Sequence, residues 1–258
     1  MKNRRKGIIL AGGNGTRMFP MTLAVSKQLL PVYDKPTIYY PLNVLRLAGI
    51  KDILIITKKN DQDLFKNLLG NGNQWQLNLS YKIQPSPNGI AQAFVLAEDF
   101  LDGAPSALIL GDNIFYGKNF KSILVDVSLK ECHAMTFVKA VDQPENYGVV
   151  TFSKDGSVYS IEEKPKTPAS KYALTGLYFL DQTAPARAKI LCPSKRGEYE
   201  ITDLLESYLA NDQLRTTILE HEDKWFDTGT PDSLLNAANF VKRMKFEYNI
   251  DVGALDNS

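Results

Sequence analysis

Two stretches of this sequence carry residue types suited to chemistry on phosphate. The first is Gly12-Gly13-Asn14-Gly15-Thr16-Arg17, followed ten residues later by Lys27. Glycines let backbone N–H groups approach an anion closely, and Arg17 and Lys27 add fixed positive charge. The second is "LILGDN" (108–113), which ends an apolar run on Asp112. A carboxylate at the carboxyl end of a buried strand is placed to hold Mg²⁺ against substrate phosphates, and Mg²⁺ commonly takes only one or two protein carboxylates. Asp227 in "KWFDTGT" (224–230) is a second such residue, again beside a strand end and a glycine. In "SIEEKPK" (160–166), strand alternation sends Glu163 to the face opposite Glu162 and Lys164. That segment is either a charged strand end or the place where a lysine holds a second anionic substrate.

Two familiar phosphate motifs fail on the glycine loop. The dinucleotide fingerprint G-x-G-x-x-G, started at Gly13 and Gly15, meets Met18 at its third position, and no Gly-Lys-Ser/Thr triplet follows for a P-loop. Asp34 lies at the distance of a ribose-binding acid, but within a Tyr-Asp-Lys-Pro turn. An activated nucleophile of the Ser-His-Asp or Cys-His kind is not in view either. A reaction between two phosphate compounds needs none. A sugar 1-phosphate, with a second pKa near ~6, is already largely ionised at neutral pH. It can attack the α-phosphorus of a nucleoside triphosphate if the protein aligns the two anions and offsets their repulsion.

The elements that must position these residues alternate through the first half. "GIILAG" (7–12), "DILIIT" (52–57), "LSYKIQ" (79–84) and "SALILGD" (106–112) are short, apolar and bounded by turn residues, as buried strands are. Ile38, Leu42 and Leu45, closed by Gly49, predict a helix; Phe94, Ala97 and Leu101, closed by Gly103, predict another. Strand–helix–strand repetition argues for a mostly parallel sheet flanked by helices. Further strands are expected at 134–140, 147–152, 158–164 and 172–180. Helices follow through Ile201, Leu204, Leu205, Tyr208 and Leu209 and over 232–246. The closing "NIDVGALDNS" has few large apolar residues and is expected to fray.

A net charge of +1 leaves no basic footprint for nucleic acid. Cys132 and Cys192 form no disulfide framework, and with His133 and His221 they supply a zinc site poorly. "KNRRK" before "GIILAGG" imitates a signal peptide, but the apolar run 8–11 is too short for one, and no stretch reaches the length of a membrane span. The expectation is a soluble cytoplasmic protein with neither nucleic-acid nor membrane partners.

The long block "GIILAGGNGTRMFPMTLAVSKQLLPVYDKPTIYYPL" resembles the opening of bacterial glucose-1-phosphate thymidylyltransferases, sugar-nucleotide pyrophosphorylases that make dTDP-glucose for rhamnose and other deoxysugars. The likeness continues through "QPSPNGIAQAF", "LGDNIFYG", "ENYGVVTF", "EEKPKTPASKYALTGLYF", "RGEYEITD" and "WFDTGTPDSLL", in order, over roughly residues 6 to 241. The resemblance implies a Rossmann-like nucleotidyltransferase fold, α/β with a mostly parallel central mixed sheet flanked by helices. It implies one domain over 1–258: a nucleotide-binding part at about 1–130, a sugar-binding and assembly part at about 131–241, and a tail at 242–258. The substrates implied are dTTP and glucose 1-phosphate, with Mg²⁺ as cofactor and a homotetramer as the assembly.

By the same resemblance, Gly12, Gly15, Thr16, Arg17 and Gln28 would cradle the nucleotide, with Arg17 and Lys27 supporting charge on the transferring phosphates. Gln84 and Gly89 would read the base, and Asp112 and Asp227 would hold Mg²⁺. Asn113, Gly148, Glu163, Lys164 and Leu174 would hold the sugar phosphate, with Lys164 on its phosphate. Two departures stand out: the chain stops soon after the helix near 232–246, and His221 stands where family members usually carry an arginine. Both belong to the family's secondary nucleotide site, so weakened or altered feedback control is expected. Specificity for UTP or another hexose 1-phosphate, or a silent nucleotide-binding regulator, are the alternatives.

Overall fold

Consecutive buried apolar residues form strands covered on both faces, and parallel sheets are built from such strands. In the computed structural model, which describes residues 4–129 and 132–255, the strands Lys6–Ala11 and Asp52–Thr57 are of this kind. They pair in parallel with Ile9 opposite Ile55, and Asn78–Ile83 adds a third parallel strand with Tyr81 opposite Ile55. The helices Tyr39–Leu47 and Gln62–Leu69 belong with them. A separate antiparallel pair, Asn113–Tyr116 with Lys224–Asp227, sets Asp227 opposite Asn113.

The described residues fall into two compact units. Residues within 7–87, 109–126 and 222–258 form the glycine-loop unit; those within 1–6, 88–108 and 127–221 form the strand-rich unit. Neither is one continuous stretch, whereas the expected parts followed one another along the chain. The strand-rich unit joins Val158–Glu163, Gly148–Phe152, Tyr172–Leu180 and Ala134–Ala140 as antiparallel neighbours in that order. Leu214–Ile218 then runs parallel to Ala134–Ala140. The register of Tyr172–Leu180 shifts between Leu174 and Tyr178 at Gly176, whose φ is +73°. The helix Ile201–Leu209 buries Ile201, Leu204, Leu205 and Tyr208, the stripe expected from sequence. Among the described residues no helix is long and apolar enough to cross a membrane.

The mixed α/β class is as expected, with three local corrections. The helix read through Phe94 and Leu101 is two short ones, Gln92–Leu96 and Glu98–Leu101, joined at Ala97. The strand read as 106–112 ends at Leu110, which leaves Gly111 and Asp112 in a turn. The tail does not fray over its described part: Val252 and Leu255 are buried. Two apolar residues suffice there because Val32, Tyr40, Ile114, Phe240, Val241 and Met244 already form the cluster that Val252 joins. Residues 256–258 lie outside the described residues.

The helix Pro231–Tyr248 starts on a reciprocal cap. The Ser233 N–H donates to Thr230 Oγ1 at 3.2 Å, and the Thr230 N–H donates to Ser233 Oγ at 3.1 Å. Replacing Thr230 with alanine removes an acceptor that the first turn cannot replace. Thr230→Ala is expected to lower unfolding free energy by about 1 kcal/mol in urea titrations.

Candidate active site

The glycine loop leaves the strand Lys6–Ala11 and turns at once. A Cβ on Gly12 would stand 2.1 Å from Gln84 Oε1, so only glycine lets the Gln84 side chain lie against the loop. Gly15 adopts φ +64°, and the Thr22 hydroxyl donates to its carbonyl at 2.7 Å, which holds the turn shut. The one-turn helix Thr16–Met18 buries Met18 and leaves the Arg17 side chain 61% exposed. Lys27 enters from the next such turn, Lys27–Leu29, and its stem passes Gly13.

Asp112 is the anchor. Its side chain is almost wholly buried, and the Lys27 ammonium donates directly to its carboxylate. Asn113 Nδ2 donates to Asp112 Oδ1 at 3.2 Å, while Trp225 Nε1 donates to Asn113 Oδ1 at 2.5 Å. The Thr228 N–H and hydroxyl donate to the Asp112 carbonyl at 3.1 and 2.8 Å. These bonds, with the pairing of Asp227 and Asn113, bring the two aspartates together. Burial works against the charge of Asp112, but the Lys27 ammonium outweighs it and holds the carboxyl below its ordinary value. Burial likewise opposes the charge on Lys27, and the Asp112 carboxylate reverses that and raises it. Asp227 has no such partner: burial, then the charge of Asp112, pushes it up to about 6, with Arg17 4.0 Å away.

Among the described residues no cluster of three or more His, Cys, Asp or Glu could hold a metal ion. A cation here must therefore draw most of its ligands from substrate and water. Two adjacent carboxylates beside an anion loop fit that requirement, and they fit Mg²⁺ in particular. Gln28, expected to touch nucleotide, is 1% exposed; its Oε1 accepts from Ser26 Oγ at 2.6 Å and its stem packs on Gly111. It thus supports the turn that carries Asp112.

The remaining candidates lie in the strand-rich unit. Gly148 begins a strand, and a Cβ there would stand 2.8 Å from Leu174 Cδ1, 2.9 Å from Thr202 Cγ2 and 3.4 Å from Glu163 Oε2. Gly148, Glu163 and Leu174 are therefore one cluster. Lys164 joins them by leaving the strand: its φ is +44°, and its ammonium lies 3.9 Å from Glu163. The alternation expected at 162–164 ends at Glu163, so Lys164 and Glu163 do not point to opposite faces. Burial, then the charge of Glu200, raises the Glu163 carboxyl. Gly89 packs on backbone instead, where a Cβ would meet the Tyr199 carbonyl oxygen at 2.4 Å.

Sequence reasoning missed Arg196, whose guanidinium reaches Glu163 at 3.2 Å, Glu198 at 3.2 Å and Glu200 at 3.4 Å. It also missed Thr202, Trp225 and Thr228. "RGEYEITD" and "WFDTGTPD" held the signal, but only as blocks, because a hydroxyl or an indole carries no chemistry of its own until its partner is known.

Comparison with known proteins follows this geometry. A family model described as nucleotidyl transferase matches residues 6–244. A glucose-1-phosphate thymidylyltransferase of Xanthomonas campestris pv. campestris is 52% identical over 249 residues, 96% of this chain and 84% of that protein. One from Neisseria meningitidis is 51% identical over 251 residues, 97% of this chain and 87% of that protein. Among solved structures, a Bacillus anthracis protein assigned as a glucose-1-phosphate thymidylyltransferase and complexed with a sucrose is similar at TM-score 0.84. It is 38% identical, with 92% of this chain and 94% of that one covered.

The two cation–carboxylate pairs of the loop should differ in energetic weight. Lys27→Met strands a buried carboxylate and is expected to cost about 3–5 kcal/mol of unfolding free energy. Arg17→Met removes an exposed, distant partner and should cost less than ~1 kcal/mol. Chemical denaturation of both variants measures the contrast.

Proposed function

This chain belongs to the nucleotidyl transferase family, and on that premise we propose that it transfers dTMP from dTTP to glucose 1-phosphate, giving dTDP-glucose and pyrophosphate. The observation that carries the reading is the buried Asp112, held by Lys27 beside the glycine loop and next to Asp227. The relatives' names supply the substrates, and they share about half of their residues with this chain.

The glycine-loop unit takes the triphosphate. Backbone N–H groups of Gly12, Gly15 and Thr16 face its oxygens, and Gln84 meets the base where glycine lets it approach the loop. Arg17, exposed and 4.0 Å from Asp227, swings to the phosphates. Asp112 and Asp227 would hold Mg²⁺, which would supply charge neutralisation at the triphosphate oxygens.

The strand-rich unit takes the sugar phosphate. Leu174 packs against Gly148 beside the sugar, Glu163 accepts from sugar hydroxyls, and Lys164 meets the phosphate. A phosphate oxygen of glucose 1-phosphate attacks the α-phosphorus, forming one P–O bond. The bond from the α-phosphorus to the bridging oxygen breaks, and its electron pair leaves with pyrophosphate. The attacking oxygen carries no proton at neutral pH, so no general base is needed. Lys27 and Arg17 offset the charge that spreads over the transferring group.

Pyrophosphate release with Mg²⁺ and glucose 1-phosphate tests this directly. The wild type should turn over dTTP, UTP should be slower by about tenfold or more, and Asp112→Ala should lose about a hundredfold or more. UTP equal to dTTP would reassign the nucleotide. Tight nucleotide binding with no release from any triphosphate would replace the transferase with a silent binding protein.

A further inference from the structure

Lys27 stands on a one-turn helix, Lys27–Leu29, that is held in part by residues up to ten positions further on. The Ile38 N–H donates to the Gln28 carbonyl at 2.9 Å, and the Thr37 N–H and hydroxyl both donate to the Leu30 carbonyl at 2.9 Å. Residues 37 and 38 therefore fix the turn that carries Lys27. They follow directly on a small hairpin, Pro31–Val32 with Lys35–Pro36. The hairpin is too short to hold itself, since two paired residues a side bury little. At its tip Tyr33 sits at φ +64°, a left-handed conformation that a bulky residue adopts only when its surroundings impose it.

The surroundings are the C-terminal segment. Lys35 Nζ lies 2.5 Å from Asp251 Oδ1, and Lys245 Nζ lies 2.5 Å from Asp34 Oδ2. Asp34 and Lys35 pair with each other at 3.1 Å, so four charges of alternating sign bridge hairpin and tail. The Tyr33 and Phe246 rings meet edge to face at 6.1 Å. Beneath the charges, Val252 packs in one cluster with Val32 and Tyr40, and the Tyr40 hydroxyl donates to the Val32 carbonyl at 2.8 Å. Gly253, at φ +81°, passes so close to the Tyr40 ring that a Cβ would meet it at 2.8 Å. Arg46 Nη2 donates to the Ala254 carbonyl at 3.2 Å, which ties the end of the segment to the helix Tyr39–Leu47.

We propose that residues 249–255 form a clasp on the 31–36 hairpin and that Asp34, Lys35, Lys245 and Asp251 are positioning residues for Lys27. The clasp sets where the Lys27 ammonium stands relative to Asp112, and so tunes the transfer step from outside the site. This rests on the role given to Lys27 above. Exposed ion pairs contribute little to overall stability, so the effect of breaking them should show in turnover more than in melting. A displacement of about 1 Å at a group that aligns reactants is enough to slow a reaction many-fold.

The test uses the full chain and the pyrophosphate-release assay. Asp251→Lys and Lys35→Asp each place like charges across the clasp, while Lys35→Asp with Asp251→Lys restores opposite charges between positions 35 and 251 and leaves Asp34 beside a second acid. Each single variant is expected to lower kcat with dTTP by about fivefold or more, with KM for glucose 1-phosphate within about twofold of wild type. The double variant should recover part of the loss, with kcat at least about twofold above either single variant. The milder Asp251→Asn, expected to lower kcat by about two- to threefold, covers the case in which a charge reversal fails to fold. Single variants with a lowered melting temperature but wild-type kcat would overturn the proposal and leave the clasp a structural staple. A double variant no better than the singles would overturn it too. A wild type that releases no pyrophosphate, or a Lys27→Met variant as active as wild type, would instead overturn the reading beneath it.

Discussion

A carboxylate cannot be buried alone, and the glycine-loop unit is organised around that constraint at Asp112. Removing it from water costs several kcal/mol unless an opposite charge and hydrogen bonds accompany it. Lys27 supplies the charge and Asn113 a hydrogen bond. Each partner then needs its own support: Asn113 is held by Trp225, and Gln28 packs beneath Gly111 while bonded to Ser26. Glycines stand where these side chains would otherwise collide with the main chain. The result is a corner in which one acid, Asp112, is held below its ordinary pKa and its neighbour Asp227 is raised to about 6. A cation arriving with a triphosphate would relieve the repulsion between the two carboxylates.

The strand-rich unit solves a different problem. A sugar phosphate, taken there as proposed, offers hydroxyls around a ring and little charge beyond its phosphate, so shape must come before polarity. Gly148 lets Leu174 and Thr202 pack against the main chain, and Glu163 stands beside them with a carboxyl raised by burial. Arg196 pairs with Glu163 and two further acids, so one guanidinium is shared among three carboxylates. The left-handed backbone at Lys164 is what brings a cation to the same place as Glu163.

Much of this was legible in sequence, for identifiable reasons. Buried strands advertise themselves: Asp52–Thr57, Ala134–Ala140 and Tyr172–Leu180 have the bounds expected from apolar runs and turn residues. The glycine loop and both aspartates were singled out because they occur together in one chain, since each aspartate alone reads more often as an ordinary turn or cap. Lys164 was misplaced because alternation assumes that a strand continues, and one positive φ ended it. The tail was misjudged because its apolar content was weighed alone, while Val252 completes a cluster built by residues up to 220 positions away. Arg196 and Trp225 escaped notice since their importance lies in pairings that only the fold creates.

On the proposed function Asp112 is shared: Lys27 keeps it in the free protein, and a metal–triphosphate complex would draw it away. Titration of Mn²⁺, followed by its paramagnetic signal with and without dTTP, measures this most directly. The account predicts weak binding to the protein alone, binding at least about tenfold tighter when dTTP is present, and tighter nucleotide-free binding in Lys27→Met than in wild type. Strong Mn²⁺ binding that is indifferent both to dTTP and to Lys27 would contradict it.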